Sequence, residues 1–206
     1  MLTKLLIIGA GGHAKVVIES INTEKINIYV ADQLKNQDSN RNLLEFQVTD
    51  LKLWFNKKIL FHTAIGNNQN RRRITNEFKD LNRMACNVIH SSSLVSKSST
   101  LGDGIFVAAK AIIAAEAKVM NGCIINHGSI VDHDCSIGEF SHIAPNTVLG
   151  GGVEIGQECL IGAGSIILPN IKIGNNVTIG AGAVVTKNIS NNMTIIGAPG
   201  KNIKSI

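Results

Sequence analysis

From Ile89 onward the chain divides into sixes, and the first residue of each six is aliphatic. Ile89, Val95, Leu101, Val107 and Ile113 begin a series of 17 that runs unbroken to Val185. Fifth positions are small or β-branched, as at Ser93, Ala111, Cys123, Ser141, Thr147 and Ala183. Second positions are often glycine: Gly102, Gly138, Gly150, Gly156, Gly162, Gly174 and Gly180. A strict period of six fits neither one helix nor one alternating strand. It predicts a solenoid of short strands with a corner after each, an aliphatic side chain pointing inward and a small one filling the space beside it. The phase never breaks, so no loop is expected to extrude between residues 89 and 190.

Before residue 89 the pattern is different. Residues 4–9 read as a buried strand, followed by a glycine-rich turn and a helical pattern through Ile21. Residues 26–31 read as a second strand ending at Asp32, residues 50–57 as a short helix and residues 59–65 as a third strand. Gly66-Asn67-Asn68 opens a further helix to about Arg83, and a last strand leads into the repeat. Strands alternating with helices imply a small parallel α/β sheet, a Rossmann-like half-domain. The organisation expected is therefore an α/β domain over 1–88, the solenoid over 89–190 and a tail over 191–206. Open solenoid ends need capping. The first domain can cover one end, and the tail can cover the other or leave it.

Gly9, Gly11 and Ala14 satisfy G-x-G-x-x-[G/A] between a strand and a helix, with the acid Asp32 at about the required distance. Alone, that favours a dinucleotide, but the segment is only about half of such a fold. One nucleotide is the better reading, its phosphates near the amides of Gly11–His13. A tight turn that binds nothing is the plain alternative.

Composition narrows the class. Hydrophobic residues make up 44%, charged residues 17%, and mean hydropathy is +0.16, so the chain has ample apolar surface to fold around. No apolar run approaches the ~18 residues of a membrane helix, and Leu5–Ile8 is too short for a signal-peptide core. A cytoplasmic protein is expected. The net charge of +5 is uneven: residues 1–88 hold 13 Lys/Arg against 8 Asp/Glu, while residues 89–206 hold 7 of each. The run Arg71-Arg72-Arg73 could serve an anionic partner such as a nucleotide diphosphate, or be a solvated helix face. Basic residues do not interleave with aromatics, so nucleic acid is not expected. The four cysteines form no CxxC pair, and three of them fall at fifth positions, as small core residues.

The six-residue repeat resembles the hexapeptide-repeat left-handed parallel β-helix, in which three hexapeptides form one triangular coil. Its 17 units would make nearly six coils, roughly 27 Å tall at about 4.8 Å per stacked strand. In such a coil His133 is a corner residue, stacked between Ala115 and Gly151, and Asp134 is stacked between Glu116 and Gly152. Small neighbours leave space around the imidazole, and an adjacent carboxylate orients it and raises its basicity, as a general base requires. His127 stacks on Ala109 and Pro145 and lacks an adjacent acid. A metal held by His127, His133 and His142 would need several subunits, because the first two lie on successive faces; no metal is expected.

Both halves together resemble the bacterial sugar acyltransferases of the sialic acid O-acetyltransferase and bacillosamine-type N-acetyltransferase group. The resemblance rests on the opening Gly-Ala-Gly-Gly-His, on Ala64-Ile65-Gly66-Asn67-Asn68-Gln69-Asn70-Arg71, on the segment from His133 to Glu139 with His142, and on Gly197-Ala198-Pro199-Gly200-Lys201. It implies a homotrimer, acetyl-CoA as donor and a nucleotide-linked amino sugar held by the first domain. By position it makes Gly11, Gly12, His13, Asp32 and Gly66 nucleotide-sugar contacts, His133 the base and Asp134 its partner. His142, Ala163 and Ala181 become acetyl-CoA contacts, and Asn126 lines the same site. The acid at Asp134 tilts the expectation toward acetylation of an amine, most simply that of a UDP-linked 4-amino-4,6-dideoxy sugar, with amides near Gly150-Gly151-Gly152 stabilising the oxyanion. The alternatives are O-acetylation of sialic acid or a related sugar, a GDP-linked amine, a metal-dependent carbonic-anhydrase-like prism, and a nucleotide-sugar sensor without catalysis.

Overall fold

The computed structural model describes residues 3–22, 24, 26–31, 45–46 and 59–203. Asp32 and the helix expected at 50–57 lie outside them. In the first domain β1 (Thr3–Ile8), β2 (Ile26–Ala31), β3 (Glu45–Phe46), β4 (Leu60–Thr63) and β5 (Met84–Ala85) form one parallel sheet in the order β3-β2-β1-β4-β5. Helix α1 (Gly12–Glu19) follows β1, and α2 (Asn68–Asp80) follows β4. The strand order reverses between β1 and β4, so the loops after these two strands flank the crevice where open α/β sheets take ligands. Gly9 is glycine by necessity: its φ is 111°, and a Cβ there would sit 2.9 Å from the Ala64 carbonyl oxygen. Asn67 starts α2, its side-chain oxygen accepting from the Asn70 amide at 2.9 Å.

The second half is a left-handed parallel β-helix whose two-residue strands recur every six residues and stack every eighteen. Ile125, for example, lies in register with Val107 and Ile143. Residues from Ile105 to Val185 at first and fifth positions form one continuous core, closed by Ile195. Cys123, Cys135 and Cys159 belong to it, each thiol within 3.0–3.2 Å of a carbonyl oxygen on the neighbouring coil. From Gly104 to Gly182 the fourth residue of every hexapeptide is left-handed, with Asn, Gly, Lys110, Glu116, Asp134, Phe140 and Glu158 all near φ 60°. That conformation therefore belongs to the coil and marks no particular site.

Two features depart from expectation. After Val185 the spacing shortens by two residues: Ile189 bridges to Ile173, and Ile195 pairs with Ile179. The parallel stacking thus continues through Thr194–Ile196, and Lys201–Asn202 folds back on it antiparallel. The first domain, moreover, packs against a side of the prism and not its end. Leu5, Ile7, Ala14, Val17 and Ala64 bury against the outward-facing Val88, Phe106 and Ile124 of one face. Among the described residues none caps the first coil: Ile89 is 42% exposed, and Val95 and Leu101 are only partly buried.

The three prism faces therefore differ in their outward residues. The first carries Val88, Phe106 and Ile124 beneath the α/β domain, then His142, an exposed Leu160 and Thr178 on later coils. The second carries a register-matched ladder of Leu94, Ile112, Ile130, Val148, Ile166 and Val184, which no described residue covers. The third is polar, with Lys118, Ser136 and a Lys172–Glu154 ion pair at 2.9 Å.

Candidate active site

His133 and Asp134 form the corner after the second-face strand Ile130–Val131. The imidazole Nδ1 donates to Asp134 Oδ2 at 2.7 Å, and the Asp132 side chain accepts from the His133 amide, also at 2.7 Å. Both side chains are largely exposed. The Asp134 hydrogen bond, helped by the charge of Asp132, raises the His133 pKa above the usual histidine value. With its proton engaged on Nδ1, the ring keeps a free lone pair on Nε2, as a base must. The expected stacking holds: the amide of Asp134 donates to Ala115, and that of Gly152 to the His133 carbonyl. The ring lies over Gly151 so closely that a Cβ there would sit 2.5 Å from Cε1 and Nε2. In that glycine corner the amides of Gly150 and Gly152 already donate to the Ile167 and His133 carbonyls. The oxyanion expectation thus narrows to Gly151.

A second cluster forms where the α/β domain meets the prism. It brings together His13, Asn126 and His142. His13 stands edge-on to Phe106 with ring centroids 5.3 Å apart, and its Nε2 is enclosed without a hydrogen-bond partner. Burial, with the nearby His142 and Arg71, lowers its pKa to about 3. The Asn126 amide donates to Nε2 of His142 at 3.0 Å, and burial, followed by Arg71, lowers the His142 pKa to about 4. Both rings are neutral at physiological pH. Just behind them His62, fully buried and also held near 4 by burial, donates from Nδ1 to the Cys86 carbonyl at 2.9 Å. Gly11 and Gly12 stand at the α1 N-terminus with open space where a Cβ would be, and so does Gly66 after β4. Ala163 and Ala181 are exposed and stack beneath His127 and Pro145 on the edge that carries Asn126.

These two clusters do not meet within one chain. His133 and Asn126 occupy neighbouring prism edges, on opposite sides of the apolar second face. The three arginines of the basic run all have partners within the chain. Arg71 is buried, Arg72 pairs with Glu158 at 3.5 Å and lies over Phe140, and Arg73 pairs with Glu77 at 2.7 Å. Phe106 is the site element that the sequence did not single out, and Arg71 stood out only within the basic run and the Ala64–Arg71 motif. An aromatic at an outward position, in a chain with only 4% aromatics, was the available clue to the first. Among the described residues no His/Cys/Asp/Glu group suited to a metal ion occurs, and no helix is long and apolar enough to cross a membrane.

A hexapeptide prism with a corner histidine–carboxylate pair, joined to a nucleotide-type α/β domain, defines an acyltransferase of the hexapeptide class. Residues 4–78 match the PglD N-terminal domain, and residues 116–151 and 152–187 match the bacterial transferase hexapeptide repeats. A perosamine N-acetyltransferase mutant from Caulobacter crescentus, solved with CoA and GDP-perosamine, superimposes with a TM-score of 0.92 at 31% identity, over 100% of this chain and 99% of that one. The acetyltransferase domain of PglB from Neisseria gonorrhoeae FA1090, solved with acetyl coenzyme A, does so with a TM-score of 0.91 at 35% identity, over 98% and 100%. The curated UDP-N-acetylbacillosamine N-acetyltransferase of Bacillus subtilis is 32% identical over 114 residues, 52% of each chain, so the match spans about half that relative's length. The chain belongs to this family of hexapeptide-repeat sugar N-acetyltransferases with a PglD-type N-terminal domain.

Proposed function

We propose that the protein transfers acetyl from acetyl-CoA to the amine of a UDP-linked 4-amino-4,6-dideoxy sugar, directly and with His133 as general base. The observation that carries this reading is the His133–Asp134 pair set over Gly151. Nε2 takes a proton as the amine attacks the thioester carbonyl, Asp134 holds the ring and its tautomer, and the thiolate of CoA leaves as the tetrahedral intermediate collapses. The Gly151 amide serves the oxyanion. No acyl-enzyme is needed, because the buried cysteines are held as thiols by desolvation.

Residues 1–88 hold the nucleotide sugar, with phosphates at the α1 N-terminus near Gly11, Gly12 and His13 and the crevice closed by Gly66. Residues 89–190 carry the transfer, with His142, Ala163, Ala181 and Asn126 along the donor groove. The unpartnered Nε2 of His13 favours a hydrogen-bonding ligand group there, since an enclosed polar atom without a partner is costly. A homotrimer completes the site. The uncovered aliphatic ladder lies between the His133 edge and the Asn126 edge, so packing that face on a neighbour joins one chain's base to another's groove.

Thiol release from acetyl-CoA with a UDP-4-amino sugar, on wild type and His133→Ala, tests the reading. Release by wild type and a loss of about 10²–10⁴-fold in the variant are expected. Full turnover by His133→Ala removes that residue from the mechanism. The similarity to a GDP-perosamine complex favours one second reading, a GDP-linked amine. It predicts release with the GDP-linked acceptor alone.

A further inference from the structure

Arg71 is 1% exposed, and every guanidinium N–H has an acceptor, none of them a carboxylate. Nε donates to the Gly122 carbonyl and Nη2 to that of Phe140, each at 2.7 Å, on successive coils of one prism corner. Nη1 donates to the carbonyls of Ile65 at 3.0 Å and Gly66 at 3.1 Å, and Nη2 also to Asn68 Oδ1 at 2.9 Å. Asn68 continues the tie to the next coil, its amide donating to the Cys159 carbonyl at 3.0 Å. One planar cation thus joins the loop after β4, a wall of the nucleotide crevice, to two consecutive coils, and Asn68 extends the tie to a third.

Simple attachment does not require a charge here. The apolar contact of Leu5, Ile7 and Val17 with Phe106 and Ile124 already docks the domain. A buried cation without a counter-ion is expensive, whereas apolar residues of similar volume would dock as well. What the guanidinium adds is geometry: five donors in a rigid plane fix the loop in translation and rotation, which a lysine point charge does not. From this we infer that Arg71 is a positioning residue for acetyl transfer, setting the loop Ile65–Asn68 against the prism so that an acceptor held in the crevice meets the acetyl group in line.

This inference rests on the proposed transfer reaction. It predicts that loosening the tie leaves both half-sites intact and misaligns them, and a misplacement of about 1 Å costs on the order of 10²-fold in rate. The test measures kcat with the nucleotide-linked acceptor, the Kd of CoA, the Kd of UDP (or of GDP, whichever wild type binds) and the melting temperature, for wild type, Arg71→Lys and Asn68→Ala. We expect kcat to fall by roughly 10–10²-fold in Arg71→Lys and by less in Asn68→Ala, with both dissociation constants within about two-fold of wild type. A folded Arg71→Lys with unchanged kcat overturns the inference, as does a loss of kcat that merely tracks lost affinity for either ligand. If Arg71→Lys does not fold, Asn68→Ala decides by the same criteria. Absence of turnover by wild type with every nucleotide-linked amine overturns the transfer reading and this inference with it.

Discussion

At the scale of single residues, position 133 is decided by what stands above and below it. His133 has room because Ala115 and Gly151 carry almost no side chain, and an eighteen-residue stack made that neighbourhood legible before any coordinates. Gly151→Ala inserts a methyl group into the space of the ring. Activity should drop about ten-fold or more while the melting temperature barely changes, since the site is an open corner. Equal activity in the two proteins would mean that the ring is free to move aside. Asp134 raises the His133 pKa, and the base works unprotonated, so activity falls as pH drops through that raised value. In Asp134→Asn the acid limb of kcat/KM should move to lower pH while the plateau rate declines. A limb that stays in place would assign it to another group. The neutral state of His13 and His142 was not legible, because it follows from burial and from Arg71, which approach only when the two domains dock.

Elements divide in the same way. The strands of the repeat were readable because every coil buries the same two positions, and β1, β2 and β4 because each is a short apolar run beside glycine or asparagine turns. The two-residue contraction after Val185 was not. It preserves the six-residue interval between Ile189 and Ile195 in a new frame, and only the pairing with Ile173 and Ile179 reveals it. The docking face was not legible either, although its outward Val88, Phe106 and Ile124 are apolar, because the repeat constrains only the inward positions. Phe106 is fully buried against the α/β domain and lies outside the prism core. Phe106→Ala should cost about 3–5 kcal/mol at that contact. The expected result is earlier unfolding or proteolysis of the first domain, with the prism left intact; a single cooperative melt shifted as a whole would show that the halves unfold together.

For the whole molecule, acid stability and assembly follow from the same surfaces. His62 titrates near 4 in the folded chain against about 6.5 unfolded. Below 6.5 the unfolded state binds the proton first, so stability is lost as pH falls from there toward 4. Between pH 7 and pH 5 that amounts to about 2 kcal/mol for this residue, and His13 and His142 act in the same direction. Melting temperatures should fall steadily over this range and fall less in His62→Gln; a pH-independent wild-type melt would contradict the buried neutral imidazole. On the second face, Ile166→Glu should yield monomers in sedimentation, with turnover lost because the base and the donor groove no longer meet. A trimer that survives the substitution would place the interface elsewhere. The sequence by itself determined the solenoid, its core positions and the parallel α/β start, because each follows from local periodicity, while the His133 stack also needed the three-sided coil that the hexapeptide-repeat resemblance implies. Only the tertiary structure decided that the first domain lies on a prism side and that Arg71 and Asn68 together tie three coils to one loop. Those depend on contacts between residues 50 to 90 positions apart, which no short-range pattern encodes.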